Sequence, residues 1–132
     1  MNLGSLHDAE VIGFVSDRER KEFKVLLTGE DGARYSINLK GVVYLKVSDY
    51  TYQNIVSNLI LMDSSSNIDS LRKVLSWVTE IGGDATVEQS YIDLTLSKIL
   101  SGKLSVVYFV PSWGAEIAAV CEQIVLTSNE RL

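Results

Sequence analysis

Phe23-Lys24-Val25-Leu26-Leu27-Thr28-Gly29-Glu30-Asp31-Gly32-Ala33-Arg34-Tyr35-Ser36-Ile37-Asn38-Leu39 is the stretch on which the fold turns. Phe23, Val25 and Leu27 alternate with Lys24, Leu26 and Thr28, and Tyr35, Ile37 and Leu39 alternate with Ser36 and Asn38. A period of two is that of a strand with one buried face. Gly29-Glu30-Asp31-Gly32 between them reads as a hairpin turn, because an Asp-Gly pair tolerates positive φ.

Outward from this hairpin the strand pattern continues on both sides. Glu10 to Ser16 carries Val11, Ile12, Phe14 and Val15 in loose alternation, and Asp17-Arg18-Glu19-Arg20 makes a charged turn. Gly41 interrupts the later run, which resumes with Val42 to Val47. A polar loop from Ser48 to Asn54 precedes Ile55 to Met62. Five strands joined by short turns predict an antiparallel meander.

Asp63-Ser64-Ser65-Ser66-Asn67 ends this section. Ile68, Leu71, Val74, Leu75, Val78 and Ile81 then recur at helical spacing. Ser66 or Asn67 suits the N-cap, and Gly82-Gly83 is the expected stop. Thr86-Val87-Glu88-Gln89 has capping-box form and predicts a second helix to about Leu100, with Gly102 as its stop. The alternation of Ile92, Leu94 and Leu96 leaves a strand over 87–100 as the competing reading. Leu104 to Val110 is β-branched and aromatic, hence a strand. Pro111-Ser112-Trp113-Gly114 reads as a turn, with a returning strand over 115–127. There Ile117, Ala119, Cys121, Gln123 and Val125 fit one strand face, although Ile117, Val120, Cys121 and Ile124 also fit a helix. The expected architecture is a single α+β domain over 1–132. It has a β-rich part at 1–63 forming a five-stranded antiparallel meander, two helices within about 67–101 packed on one face, and a C-terminal β-hairpin at 104–127.

The net charge of −5 is unevenly placed. Between Glu80 and Glu130 stand seven acidic residues and two lysines, while the other positions hold ten of each sign. Nucleic-acid binding draws on clustered Lys and Arg, so none is expected. An acidic surface suits a basic protein partner or simple solubility. The single cysteine, Cys121, lies in an apolar run and cannot form an internal disulfide. The first residues lack the basic and apolar regions of a signal peptide, and no stretch has the length of a membrane span. These features predict a cytoplasmic location and no membrane partner.

Catalytic sets are sparse. His7 beside Asp8, with Ser5 near, is the sole candidate triad, but neighbours in an extended chain point opposite ways. One His and one Cys are too few for zinc, and neither Glu30-Asp31-Gly32 nor Asp63 to Asp69 has the ligand pattern of a calcium loop. No glycine-rich phosphate loop occurs. The expectation is therefore a protein without catalytic residues, metal or cofactor. Tyr50 and Tyr52 in the polar loop and Trp113 in its turn have the character of interface anchors. The alternative is that these rings fold back over the core. Asp84, Glu88, Asp93, Glu116 and Glu122 complete the candidate partner-binding set.

The opening Leu6-His7-Asp8-Ala9-Glu10-Val11-x-Gly13 with Asp17, then Asp31-Gly32, Gly41-Val42 and Gln53-Asn54-Ile55-Val56, resembles a widespread group of small bacterial proteins of unassigned function. Some groups with a Leu-His-Asp-Ala opening are found among proteins regarded as immunity proteins, which neutralise a toxin delivered by a neighbouring cell. The resemblance covers the β-rich half, with support from Val110-Pro111-Ser112-x-Gly114-Ala115-Glu116. Together with the acidic excess after Glu80 and the missing catalytic set, this resemblance leads to the expectation of a non-catalytic protein-binding module whose acidic C-terminal third covers a basic, nuclease-type toxin domain. A homodimer or a small-ligand-binding domain is the alternative expectation.

Overall fold

The computed structural model describes residues 6–82 and 85–129. Strands β1 (Glu10–Asp17), β2 (Glu22–Thr28), β3 (Arg34–Lys40), β4 (Tyr44–Ser48) and β5 (Ile55–Met62) precede helix α1 (Ile68–Val78). A small ribbon, β6 (Glu80–Gly82) and β7 (Ala85–Thr86), leads to helix α2 (Gln89–Leu100). The chain closes with β8 (Ser105–Trp113), β9 (Glu116–Cys121) and β10 (Gln123–Asn129). The main sheet has eight strands, all antiparallel, in the order β10-β3-β2-β1-β5-β8-β9-β4.

The five-stranded meander is thus corrected. All five expected strands form, but only β1, β2 and β3 are neighbours as a meander requires. β4 leaves the meander to pair with β9, with Leu45 opposite Ala119. β5 lies between β1 and β8. β8 and β9 pair with each other as a C-terminal hairpin, with Val107 opposite Ala119, but this hairpin is part of the same sheet, between β5 and β4. Tyr44 and Lys46 side chains cover a surface that exists only once β8 and β9 have paired, so local alternation could not reveal where β4 goes.

Glu122 separates β9 from β10 and closes the sheet on itself. The first half of this long strand pairs with β8 and the second half with β3, at the opposite end of the strand order. The Glu122 N–H donates to the carbonyls of both Lys40 and Gly41, at 3.0 and 3.2 Å. The irregularity changes the side-chain phase. Cys121 faces the core, and so do Ile124 and Leu126, an odd step after it. The single face running from Ile117 through Gln123 to Val125 is therefore corrected beyond Cys121. A similar register shift between Val11 and Gly13 restores Phe14 to the phase of Val11, which accounts for the loose alternation of β1.

Two cores result. Val11, Phe23, Val25, Leu27, Ile37, Leu39, Val107, Phe109 and Ile117 fill the interior of the curled sheet. Leu71, Val74, Leu75 and Val78 of α1 and Ile92, Leu96 and Ile99 of α2 cover part of the outer face, against Met62, Val106, Ala118 and Val120. β9 is consequently buried on both faces from Ile117 to Cys121, which explains its small residues Ala118 and Ala119. α2 buries Ile92, Thr95, Leu96 and Ile99 and leaves Leu94 exposed, so helical spacing wins over alternation there.

The helix boundaries differ in two details. α1 ends at Val78, before Ile81. Thr79 closes it by donating its hydroxyl to the Leu75 carbonyl at 2.7 Å. Thr86 lies in β7, so the capping box does not form, and Glu88 stands at the N-cap of α2 without a side-chain bond. Asn67 does cap α1, accepting from the Ser70 N–H at 3.1 Å.

Candidate functional site

Asn54 organises the loop between β4 and β5. It is buried, and its side-chain oxygen accepts the backbone N–H of Thr51 and that of Ala115, each at 2.9 Å. Its amide donates to the Thr51 carbonyl at 2.7 Å. One side chain thereby ties the tyrosine loop to the segment that follows Trp113. Gly114 makes the approach feasible: its φ is +82°, and a Cβ there would lie 2.8 Å from the Gln53 carbonyl oxygen. Trp113 is also the partner of Ile55 across the β5–β8 pair.

The rings do not fold back over the core. Tyr52 is fully exposed, Trp113 is 63% exposed and Tyr50 is 51% exposed. Tyr50 leans on Phe14, with ring centroids 5.2 Å apart, and Phe14 stacks on Phe23 at 5.3 Å. The loop is thus anchored from inside while its outer aromatic surface stays open. Such an arrangement presents apolar area whose ordering has already been completed in the free protein.

The acidic candidates are not gathered with these rings. Asp93, on α2, meets Arg72 of α1 at 3.5 Å and accepts from Gln89 at 3.1 Å. Glu88 precedes α2, and Glu122 lies at the bend between β9 and β10. Asp84 lies outside the described residues.

Glu116 belongs to a second feature. On the outer face, Ile60, Tyr108, Ala118 and Lys46 form one cross-strand row. Beyond it lie Asn58, Val110, Glu116 and Ser48. The stripe Ser70, Lys73, Val74 and Trp77 of α1, at helical spacing, overhangs this face. Between them is a groove of about 360 Å³ lined by Ile60, Met62, Val74, Trp77, Tyr108 and Glu116, with Ser70 and Lys73 on the helix side. Tyr108 donates its hydroxyl to Glu116 in a short hydrogen bond. Burial, reinforced by that carboxylate, pushes the Tyr108 phenol up to about 12, so it remains a donor. Lys46 closes one side of Trp77, with its ammonium 4.6 Å from the ring centroid and hydrogen-bonded to the Trp77 carbonyl at 3.2 Å. The sequence reading missed Tyr108, Trp77 and Lys73. The helix and the strands that line this groove are each legible in the sequence, but not that they face one another.

His7 and Asp8 do meet, at 3.0 Å between Nδ1 and Oδ2. Asp8 has φ of +62°, so the chain is not extended there and the expected divergence of the two side chains does not hold. Among the described residues no other side chain is hydrogen-bonded to His7, and Ser5 lies outside them. Cys121 is fully buried, and burial pushes its thiol up to about 11, the reverse of what a nucleophile needs. No group of three or more His, Cys, Asp or Glu is placed to hold a metal among the described residues. No helix among them is long and apolar enough to cross a membrane.

The fold is defined at the level of class, a curled eight-stranded antiparallel sheet with two helices on part of its outer face. Protein-family models, curated proteins and solved structures were each compared with the chain, and none matches it.

Proposed function

We propose that this chain is a non-catalytic protein-binding module of the immunity type, acting in the cytoplasm, with Tyr50, Tyr52 and Trp113 as its recognition surface. The observation that carries the reading is the pinning of the tyrosine loop and the Trp113 turn to Asn54 while the rings remain exposed. A buried asparagine that orders two exposed aromatic segments prepares a surface for a partner before the partner arrives. The partner is a basic, nuclease-type toxin domain. The net charge of −5 favours and steers it, and the resemblance of the β-rich half to a group of small bacterial proteins, some of them regarded as immunity proteins, agrees.

The test is co-expression with the toxin encoded beside this gene. The expected result is protection of the cell and a salt-sensitive complex, both weakened by Tyr52→Ala and Trp113→Ala. Neither protection nor complex with the unmodified chain would end the proposal. A complex that survives both substitutions would move the interface elsewhere.

A further inference from the structure

The groove under α1 combines an apolar floor with a fixed carboxylate, and the surface that binds a protein partner does not account for it. Glu116 is partly buried at the start of β9, a strand paired on both sides. Its position is therefore set by the sheet, and one of its oxygens is held by the Tyr108 hydroxyl. Among the described residues no cation lies within ion-pair distance of Glu116. Their ion pairs are His7–Asp8, Arg20–Asp17, Lys46–Glu80 and Arg72–Asp93. Lys73 lines the same groove from the exposed side of α1 without pairing with it. A carboxylate drawn partly out of water and served by one neutral donor favours a cation that brings its own hydrogen bonds. The walls beside it, Ile60, Met62, Val74 and Trp77, favour hydrocarbon. The volume of about 360 Å³ suits a small organic molecule.

We propose that the groove between α1 and strands β5, β8 and β9 binds a small amphipathic amine, with its ammonium on Glu116 and its apolar body against Ile60, Met62, Val74 and Trp77. This site is separate from the aromatic surface, and its test does not depend on the toxin partner.

Trp77 reports on the groove. In the full chain carrying Trp113→Phe, Trp77 is the only tryptophan. Its fluorescence is titrated with 2-phenylethylamine, neutral 2-phenylethanol and anionic 3-phenylpropanoate. The amine is expected to give a saturable change and to bind at least about tenfold more tightly than the alcohol, the scale of one charge-assisted hydrogen bond. Glu116→Gln keeps the shape and an acceptor for Tyr108, and should bring the amine to the alcohol's affinity. An unchanged far-ultraviolet spectrum and melting midpoint establish that this variant is folded. Equal affinity for amine and alcohol would overturn the proposal, as would an unaltered amine affinity in Glu116→Gln. Tighter binding of the propanoate would assign recognition to Lys73 instead. No saturable change with any probe would mean that the groove takes no such ligand.

Discussion

The side-chain oxygen of Asn54 accepts the backbone N–H of Ala115 at 2.9 Å, across 61 positions of chain. The same oxygen accepts the N–H of Thr51, so the asparagine links a loop, a strand end and a turn.

Asn54→Ala leaves both donors without their acceptor. It is expected to destabilise the fold by about 1–3 kcal/mol, chiefly the cost of leaving the buried Ala115 N–H unsatisfied, since Thr51 is exposed to water. Urea denaturation measures this. Asn54→Asp retains the acceptor but introduces a buried charge and loses the donation to Thr51, so it should also destabilise, with the Thr51 and Ala115 amides still protected from hydrogen exchange in the folded state. A loss below about 0.5 kcal/mol for the alanine variant would contradict the pinning role.

Tyr52→Ala and Trp113→Ala should leave the denaturation midpoint nearly where it is, within about 0.5 kcal/mol each, because both rings face solvent. Their effect belongs to the partner complex, where each is expected to lower affinity at least tenfold, as central aromatic anchors do. Calorimetric titration separates the two quantities.

Gly41→Ala puts a side chain where the backbone favours glycine, and the exposed Glu122 side chain must swing aside to admit it. The residue has φ of +65°, and a Cβ would fall within the Glu122 side chain. The substitution should cost about 1–3 kcal/mol and weaken the junction of β3 with the β9–β10 bend. Hydrogen exchange should show faster loss of the Glu122 amide than of amides in the β1–β2 pair. Equal rates would indicate that the junction is not affected locally.

Stability should fall on the alkaline side. The Cys121 thiol rises from 9.0 to about 11 and the Tyr108 phenol from 10.0 to about 12 on folding. Each folded-state group holds its proton longer than its unfolded counterpart. Between about pH 9 and 11 the native state therefore binds more protons through Cys121, and unfolding becomes easier as pH rises. Tyr108 adds the same trend from about 10 to 12. Cys121→Ala should flatten the first part of this decline, measured by denaturant midpoints across the range. At the acid end the sign reverses: the Asp31 carboxyl is lowered below 3.8 by the Ala33 N–H and the Tyr35 hydroxyl. The stability it adds is complete above its unfolded value and is lost as pH falls through the folded one.

Much of the secondary structure is legible in the residues themselves. The alternation of Phe23, Val25 and Leu27, the turn at Asp31-Gly32 and the helical spacing of Leu71, Val74, Leu75 and Val78 all reflect local periodicity and local backbone freedom. The aromatic loop could also be named in advance, since Tyr50, Tyr52 and Trp113 stand in polar or turn segments. Their exposure was not determined there, because a ring beside a sheet can turn either way. It was decided by Asn54, which draws the backbone inward, and by Phe14, which supports Tyr50 alone.

What only the tertiary structure decided is where strands find partners and which acidic residues matter. β4 and β9 are separated by more than half the chain, and their pairing goes with burial of Leu45 and Val47 in the interior core and of Tyr44 on the helix side, not with any turn between them. The phase change at Glu122 follows from joining β3, again a long-range choice. The absence of an assembled catalytic set remains an expectation from the sequence: one histidine, one cysteine and no phosphate loop. That Glu116 differs from Asp93 and Glu122 in having an apolar groove beside it is a property of the folded sheet. Residue type set the charge, and the three-dimensional pairing of β5, β8 and β9 set its surroundings.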